Sequence, residues 1–432
     1  MNAVTPRTPH RPLSGRCQLP SDKSISHRAA LLAACAEGTS EIHNFSPAGD
    51  CRASKSLVRS LGCEVREEGD TLQVSGLGPA VSPRVFAEAL DCGRSGTTMR
   101  IGAGLLAGLP ITVQLTGHAQ LLARPMGRIA EPLRQMGARI STAAGGRPPL
   151  HLRGGELRGI TFTPPEASAQ VKSAVLIAGL RASSPTTVCE TVPTRDHTER
   201  LLATMGARIT IRESAGGRIV ELEPGQLSPL NLVVPGDVSS AAVLATAAAL
   251  VPGSEVLLER VVVNPTRLGF FEVLRRMGGQ VDFELRDDDP GPEPVADIRV
   301  RYAALAAFRV AASDVPALID ELPLLGLLAT SAEGLSEVRG AAELRVKESD
   351  RIGGLVTGLR TLGAEAEELD DGFVVQGPVD LRGGLCDARN DHRLAMAFTL
   401  AGLVSREAVA VDGEEFIADS FPEFLSLLGG LS

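Results

Sequence analysis

Six short polar segments in the chain combine hydroxyl, carboxylate and cationic side chains, and each leads directly into a run of small apolar residues. Four of them carry Lys or Arg within two turns of the predicted helix start. An anion bound there would interact with the cation, the helix dipole and the free backbone N–H groups. This arrangement predicts binding of anionic small molecules. The six segments are 21–24, 95–98, 168–172, 237–240, 320–321 and 390–393.

The first of these segments places two cations at a predicted helix start. Lys23 lies beside the N-terminal amides, while Ser24 and Arg28 are four residues apart and therefore share one helix face. A capped helix with an exposed, charged first turn would explain the same residues. We favour an anion site, because the chain is apolar from Ala29 onward and a buried helix has little reason to begin with two cations.

Three further motifs could bind anions, and each also has an ordinary structural explanation. Gly96 stands in a turn of glycines and hydroxyls that could cradle a phosphate or carboxylate, although such turns often serve only as turns. Arg124 precedes a helix-opening proline and could equally be a surface residue. Lys347 and Arg351 are four residues apart, which predicts one helix face; a solvated helix with ion pairs is the alternative.

Carboxylates open two of the apolar runs and could do acid–base chemistry. Asp320 and Glu321 would satisfy a helix dipole, but either becomes a general base if it faces a cleft. At 391–393, a carboxylate, an imidazole and a guanidinium stand side by side, which is more than helix capping requires. The sequence therefore predicts proton-transfer groups near the cations.

A second motif alternates with the polar segments. Six times, an amphipathic stretch ends in a hydrophobic residue followed by glycine. Glycine just past a helix end adopts the left-handed capping conformation at little steric cost. The roughly regular interval predicts six copies of a small α/β unit, each with one buried and one outer helix, grouped as two domains of three. The six glycines are Gly62, Gly137, Gly206, Gly278, Gly363 and Gly429.

The composition excludes several classes of protein. A net charge of −9 argues against nucleic-acid binding, and no apolar stretch is long enough to span a bilayer. Seven cysteines without a C-x-x-C pair, and the lack of a signal peptide, predict a reduced cytoplasmic protein without a disulfide framework or metal cluster. Three of the four lysines (Lys23, Lys172 and Lys347) lie in or beside the polar motifs, and lysine can shuttle a proton, which arginine cannot.

Together, these motifs resemble EPSP synthase (3-phosphoshikimate 1-carboxyvinyltransferase) throughout the chain, in the form of the family's second sequence class. The resemblance implies an α/β fold of two domains, each made of three ββαβαβ-like units around buried parallel helices. One domain would span residues 20–234, the other residues 1–19 plus 235–432, with the active site in the cleft between them. The matching segments are 19–28, 93–100, 124–126, 167–173, 193–198, 236–240, 345–351 and 390–393.

The resemblance also implies an activity. The enolpyruvyl group of phosphoenolpyruvate would pass to the 5-hydroxyl of shikimate 3-phosphate, with release of phosphate, in the shikimate pathway to chorismate and the aromatic amino acids. No metal and no organic cofactor would take part. The partners would be these two anionic substrates, without nucleic acid or membrane, and the protein would be a cytoplasmic monomer and a glyphosate target.

The family pattern implies the residues that contact the substrates, and we add a hypothesis for the residues that transfer protons. Asp320 would be the base at the 5-hydroxyl, Glu348 or Lys23 would handle the methylene proton of phosphoenolpyruvate, and His392 is a weaker candidate. Phosphoenolpyruvate would be held by Lys23, Gly96, Arg124, Gln170, Arg351 and Arg393. Shikimate 3-phosphate would be held by Lys23, Ser24, Arg28, Ser168, Ala169 through its backbone, Gln170, Arg195, Asp320 and Lys347.

Two positions depart from the family pattern. Arg94 stands where family members usually have Asn, which adds a cation beside the phosphoenolpyruvate loop or points away from it. Asp419 occupies a place where some members have a Lys that contacts phosphoenolpyruvate, so no contact is carried over there. Gly96 is the form expected in glyphosate-sensitive members.

Other functions fit the residues less well. UDP-N-acetylglucosamine enolpyruvyl transferase shares the fold and the donor, but it would have Lys-Asn in place of Lys23-Ser24 and a reactive Cys within residues 115–124. A non-catalytic protein that binds an anionic metabolite would explain the cations, but not the carboxylates of Asp320 and Glu348 among them. A kinase would need a nucleotide-binding loop, and the chain has no such motif.

Overall fold

A computed structural model describes residues 11–289 and 291–431 of the chain. Residues 1–10, 290 and 432, which belong to the predicted discontinuous domain, lie outside the described residues. The chain forms two compact units. The inserted unit consists of Ser21–Val234 and Gly291–Glu293, and the split unit contains the described residues before and after these segments.

The described residues form thirteen α-helices, which vary from four to thirteen residues in length. They are α1 (Lys23–Ala33), α2 (Gly49–Ser60), α3 (Gly96–Ala107), α4 (Ala119–Leu122), α5 (Gly127–Met136), α6 (Ala169–Gly179), α7 (His197–Thr204), α8 (Val238–Leu250), α9 (Gly269–Arg276), α10 (Leu322–Ala329), α11 (Arg351–Thr361), α12 (His392–Ala401) and α13 (Phe424–Gly430).

The described residues also form twenty-three β-strands, most of them short. They are β1 (Ser14–Gln18), β2 (Thr39–His43), β3 (Glu64–Glu68), β4 (Thr71–Ser75), β5 (Arg84–Val85), β6 (Leu90–Asp91), β7 (Ile111–Thr116), β8 (Arg139–Ala143), β9 (Arg147–Arg153), β10 (Thr161–Phe162), β11 (Thr186–Glu190), β12 (Ile209–Ser214), β13 (Gly217–Leu222), β14 (Asn231–Val233), β15 (Glu255–Val262), β16 (Gln280–Leu285), β17 (Val295–Arg301), β18 (Arg309–Val310), β19 (Gly334–Val338), β20 (Glu365–Leu369), β21 (Gly372–Gly377), β22 (Gly384–Asp387) and β23 (Val409–Asp412).

The strands of the described residues assemble into six sheets, which confirms the predicted α/β fold class. The inserted unit contains the sheets β14-β2-β4-β3, β5-β7-β9-β8 and β10-β11-β13-β12, with β6 added beside β7. The split unit contains β1-β15-β17-β16, β18-β19-β21-β20 and β22-β23. Five sheets repeat one pattern, a parallel first pair followed by an antiparallel hairpin, and the sixth has only the parallel pair.

Each unit packs its sheets around helices that are apolar on nearly every face. In the inserted unit these are α1, α3 and α6, and the split unit has α8, α10 and α12. Every residue of α8 and of α10 is buried, as expected for helices without a polar stripe. The amphipathic helices α2, α5 and α9 keep one face exposed, whereas α11 buries eight of its eleven residues. No helix in the described part of the chain is long and apolar enough to cross a bilayer.

Most of the predicted glycine caps are present. Gly137 follows α5 with a φ of 117°, in the left-handed region, and four other glycines of the motif also have positive φ. Gly429 is the exception: it lies inside α13, because the last helix continues to Gly430 without the hairpin that follows the other copies. The four other capping glycines are Gly62, Gly206, Gly278 and Gly363.

Candidate functional site

The first polar segment begins α1 as predicted. Oδ1 of Asp22 accepts a hydrogen bond from the N–H of Ile25 at 2.8 Å and caps the helix. Lys23 is the first helical residue, and its Nζ lies 3.2 Å from Oδ2 of Asp50 on α2. Arg28 is buried and donates from Nη1 to the carbonyl of Ser24 at 3.0 Å, so the two residues share a face as predicted.

Arg28 also connects three helices of the inserted unit. Its Nε donates to Oγ1 of Thr198 on α7 at 2.8 Å, and its Nη2 donates to Oγ of Ser173 on α6 at 3.2 Å. The two hydroxyls are themselves 2.6 Å apart. The guanidinium is therefore held in one orientation by partners far away in the sequence.

A second network joins α3 to α6. Nη1 of Arg100 donates to Oε1 of Gln170 at 2.7 Å, and Nε2 of Gln170 donates to Oγ1 of Thr97 at 2.9 Å. Both ends of the Gln170 amide thus have partners that fix which end is the donor. Since Arg28 connects α1 to α6, the polar ends of α1, α3 and α6 lie at the same end of the inserted unit.

Gly96 lies in the middle of this cationic region. A Cβ atom added at Gly96 would stand 2.8 Å from Nη1 of Arg124 and 3.2 Å from Nη1 of Arg100. Arg124 is only 7% exposed, so the alternative of an ordinary surface arginine is wrong. The absence of a side chain at Gly96 lets two guanidinium groups approach the start of α3.

The remaining predicted residues of the inserted unit lie at the start of α6 and before α7. Ser168 caps α6, with its Oγ accepting from the N–H of Val171 at 3.4 Å, and Ala169 is the first helical residue. Arg195 is half-buried in the loop between β11 and α7, three residues before Thr198. Because Thr198 contacts Arg28, this loop lies near the α1 segment.

The split unit gathers carboxylates around one buried arginine. Arg351 is 2% exposed, and its Nε donates to Oδ2 of Asp391 at 2.8 Å. Its Nη2 donates to Oε2 of Glu348 at 2.6 Å, and its Nη1 lies 3.4 Å from Oδ1 of Asp320. Burial alone would lower the pKa of Arg351. The carboxylates of Asp391, Glu348 and Asp320 raise it by a larger amount, so the pKa lies above its usual value and the guanidinium remains charged.

The segment before Arg351 differs from the prediction. Lys347 and Arg351 do not share a helix face, because residues 347–350 are not helical and Asp350 caps α11 by accepting from the N–H of Gly353 at 3.1 Å. The two cations nevertheless approach the same atom. Nζ of Lys347 lies 3.9 Å from Oδ1 of Asp320. The predicted proximity therefore arises from a turn and not from helical periodicity.

The start of α12 supplies the last predicted residues. Oδ1 of Asp391 caps the helix by accepting from the N–H of Arg393 at 2.8 Å, and buried His392 is the first helical residue. Nη1 of Arg393 lies 4.0 Å from Oε1 of Glu321, which also accepts a hydrogen bond from Ser239 at the start of α8. Arg351 and Arg393 are thus both positioned through Asp391.

Arg100 and Asp391 are not among the predicted site residues, but they position several of those residues. Arg100 orients Gln170 and approaches Gly96, while Asp391 binds Arg351 and caps the helix that carries Arg393. Each stands within a polar segment that the sequence does reveal, but its partner is tens of residues away. Arg94, in the turn before α3, and Asp419, at the end of a 3-10 helix, are half-buried.

The two units differ in the chemistry they offer. The predicted residues of the inserted unit are mainly cations and hydroxyls, whereas the split unit surrounds its cations with carboxylates. Within residues 11–289 and 291–431, no group of three or more His, Cys, Asp or Glu side chains could hold a metal ion. The cations and hydroxyls of the one unit and the carboxylates of the other are groups that can bind anions and transfer protons.

The sequence matches the family model for EPSP synthase (3-phosphoshikimate 1-carboxyvinyltransferase) over residues 7–428. A 3-phosphoshikimate 1-carboxyvinyltransferase of Sulfurihydrogenibium sp. is 44% identical over 422 residues, 97% of each chain. One from Pelotomaculum thermopropionicum is 47% identical over 423 residues, 97% of this chain and 96% of the relative. A structure of EPSP synthase from Acinetobacter baumannii superposes with a TM-score of 0.84 at 39% identity, covering 98% of this chain and 96% of the other. This chain belongs to the EPSP synthase family.

Proposed function

We propose that this protein transfers the enolpyruvyl group of phosphoenolpyruvate to the 5-hydroxyl of shikimate 3-phosphate. The products are 5-enolpyruvylshikimate 3-phosphate, an intermediate on the route to chorismate and the aromatic amino acids, and phosphate. Family membership supports the reaction. The observation that carries it is the cationic network of the inserted unit: Arg28 and Arg100 lie within the first two turns of the buried helices α1 and α3, and Arg124 approaches the start of α3.

The network suits the charges of the two substrates. Together they carry two phosphates and two carboxylates, which repel each other unless cations lie between them. We assign shikimate 3-phosphate to the α1 segment (Lys23, Ser24 and Arg28), to 168–170 at the start of α6, to Arg195, and to Asp320 and Lys347 of the split unit. Phosphoenolpyruvate is assigned to Lys23, Gly96, Arg124, Gln170, Arg351 and Arg393.

The reaction requires one proton to be removed and another to be supplied. The 5-hydroxyl loses its proton and adds to C2 of phosphoenolpyruvate. At the same time the methylene carbon of phosphoenolpyruvate gains a proton and becomes a methyl group. The tetrahedral intermediate then loses a proton from that methyl group, and the C–O bond to phosphate breaks. The methylene group is thereby restored, and the enolpyruvyl ether forms without change in oxidation state.

Asp320 is the base that we assign to the 5-hydroxyl. The cations of Arg351 and Lys347 beside its Oδ1 favour the ionised carboxylate, which is the form that accepts a proton. Glu348 or Lys23 exchanges the proton with the methylene carbon, and His392 is a weaker candidate for that role. Both of the preferred groups have a counter-ion, Arg351 for Glu348 and Asp50 for Lys23.

Phosphate release from the purified protein tests the proposal. We expect release that requires both phosphoenolpyruvate and shikimate 3-phosphate, persists in EDTA, and does not occur with UDP-N-acetylglucosamine as acceptor. Release with the sugar nucleotide instead would identify the other enolpyruvyl transferase. Binding of both substrates without phosphate release would contradict the proposed activity and make Arg94 and Asp419 the first residues to test. A cytoplasmic location and a monomeric state remain predictions from the sequence.

A further inference from the structure

Lys172 is the one lysine of the polar segments to which the proposed function gives no role. It lies on α6, two residues after Gln170, and its side chain is completely buried. A buried ammonium is costly unless charged and hydrogen-bonded partners surround it. Lys172 has such partners, and all of them come from other elements of the inserted unit.

The ammonium group binds two buried glutamates and one backbone carbonyl. Nζ of Lys172 lies 2.9 Å from Oε2 of Glu190 at the end of β11 and 2.6 Å from Oε1 of Glu199 on α7. It also donates to the carbonyl of Thr194 at 3.4 Å. Lys172 thereby connects α6, β11, α7 and the loop between the last two.

Glu190 holds the same loop from the other side. Its Oε1 accepts hydrogen bonds from the N–H of Thr194, at 3.1 Å, and from the Thr194 hydroxyl. The residue that follows is Arg195. The main chain directly before Arg195 is therefore fixed at its N–H by Glu190 and at its carbonyl by Lys172, which in turn holds Glu190.

We infer that Lys172, with Glu190 and Glu199, is a positioning group that holds Arg195 for the phosphorylated substrate. The inference rests on the proposed function, in which Arg195 binds shikimate 3-phosphate. The three side chains do not touch substrate in this proposal. They act by fixing the Thr194 backbone, so the arginine does not lose loop entropy when it binds the anion.

The charge of the cluster provides a way to separate this role from simple stability. Two carboxylates share one ammonium, and burial raises the pKa of Glu199. Replacement of Lys172 alone removes the ammonium that both buried acids share, which would harm folding whatever the lysine does for the loop. The double replacement of Lys172 by Met and Glu199 by Gln keeps the net charge, yet it still removes the donor to the Thr194 carbonyl.

The experiment compares Lys172→Met, the double variant Lys172→Met/Glu199→Gln, and the control Lys55→Met. Lys55 lies on α2 and pairs with Glu67 near the surface, so its loss should leave the substrate constants unchanged. We expect the double variant to recover thermal stability relative to Lys172→Met. Its KM for shikimate 3-phosphate should stay raised by about tenfold or more, with a smaller change in kcat.

Three results would overturn the inference. These are a KM in the double variant equal to that of the wild type, an unchanged KM in Lys172→Met, or a double variant that does not fold, since the cluster would then serve the fold as a whole. Amide hydrogen exchange of Thr194 and Arg195 gives a readout that needs no substrate. It should accelerate in both Lys172 variants and not in Lys55→Met. Failure of wild-type phosphate release would thus refute the proposed function alone, whereas unchanged exchange would refute the positioning role.

Discussion

Gly96 and Arg124 are in close contact: a methyl group added at Gly96 would lie 2.8 Å from Nη1 of Arg124. Such a separation is shorter than a carbon–nitrogen contact allows, so the guanidinium would have to move. Arg124 is almost completely buried, and Arg100 approaches the same methyl position at 3.2 Å. The space above Gly96 is therefore part of the geometry that holds two cations at the start of α3.

The Gly96→Ala variant should bind phosphoenolpyruvate more weakly. Displacement of the Arg124 guanidinium weakens a charge-assisted hydrogen bond, which predicts an increase of KM for phosphoenolpyruvate by about tenfold. The KM for shikimate 3-phosphate should change less. Steady-state kinetics with each substrate varied in turn measure both effects.

Gly127→Ala is the matched control for this substitution. Gly127 is also the first residue of a helix, α5, but an added Cβ atom would have no neighbour within 4 Å in the part of the chain that the structure describes. Its kinetic constants should equal those of the wild type. Equal constants for Gly96→Ala would show that Arg124 relaxes without loss of donor binding.

Glyphosate should inhibit in competition with phosphoenolpyruvate, because Gly96 leaves room for the inhibitor where a methyl group would intrude. Initial rates at saturating shikimate 3-phosphate test this. We expect phosphoenolpyruvate to relieve the inhibition, and we expect glyphosate to inhibit Gly96→Ala more weakly than the wild type. Inhibition that stays the same at every phosphoenolpyruvate concentration would contradict the shared site.

The sequence predicts much of the fold because burial and helix ends leave recognisable patterns of apolar residues and glycines. Helices α8 and α10 follow from runs without a polar face, and Gly137 follows from the cap that ends α5. Periodicity cannot show that the chain turns at Asp350, since spacing of four residues between Lys347 and Arg351 fits a helix and a capped turn equally well.

The contacts within the site were harder to predict than its residues. Gln170 is evident in its segment, but its partner Arg100 is 70 residues away, and only the packing of α3 against α6 brings them together. Likewise, Asp391 looks like a helix cap in the sequence, and its bond to Arg351 depends on the tertiary structure. Which group transfers which proton remains a prediction.

Asp320→Asn should nearly abolish turnover and leave substrate binding detectable. The amide cannot accept the proton of the 5-hydroxyl, although it keeps the size of the carboxylate and an oxygen that can face Arg351 and Lys347. We expect kcat to fall by at least about a hundredfold. Binding of shikimate 3-phosphate by calorimetry serves as the check on folding.

Asp314→Asn provides a comparison for the loss of charge alone. Asp314 precedes the same segment, is partly exposed and pairs with Arg276 at 3.5 Å. Its turnover should match that of the wild type. Turnover retained in Asp320→Asn would remove Asp320 from the role of base.

Asp391→Asn should destabilise the protein and weaken phosphoenolpyruvate binding together. The amide can still cap α12 through its oxygen, but its NH2 group would face the Arg351 guanidinium, and two donors cannot bond. Loss of one partner from a buried ion pair costs about 3 kcal/mol of unfolding free energy. Urea denaturation measures this cost, and kinetics measure the increase of KM for phosphoenolpyruvate.

Asp387→Asn is the control for Asp391→Asn, because Asp387 makes a similar hydrogen bond to a backbone N–H two residues later. Oδ1 of exposed Asp387 accepts from the N–H of Arg389 at 2.7 Å, a bond that asparagine can also make. Its unfolding free energy should change by less than about 0.5 kcal/mol. A similar small change for Asp391→Asn would mean that Arg351 does not depend on Asp391 for its charge balance.

Mild acid should destabilise the inserted unit through His27. This side chain is fully buried on α1; its Nδ1 lies 2.7 Å from Oγ of Ser54, and its Nε2 has no hydrogen-bond partner among the described residues. Burial, and then the charges of Lys23 and Arg28, hold the pKa of His27 well below its usual value of 6.5. The folded protein therefore keeps a neutral imidazole at a pH at which the unfolded chain has gained a proton.

The sign of the effect follows from proton uptake. As pH falls below about 6.5, the unfolded state binds more protons than the folded state, so the free energy of unfolding decreases, by up to about 1.4 kcal/mol for each pH unit. Above about pH 6.5 the imidazole is neutral in both states, so His27 causes no loss of unfolding free energy there. Thermal unfolding between about pH 7 and pH 5.5 should show a shallower pH dependence for His27→Gln than for the wild type. His151→Gln, at an exposed position on β9, should keep the wild-type slope. Equal slopes for all three proteins would show that His27 takes up its proton without unfolding.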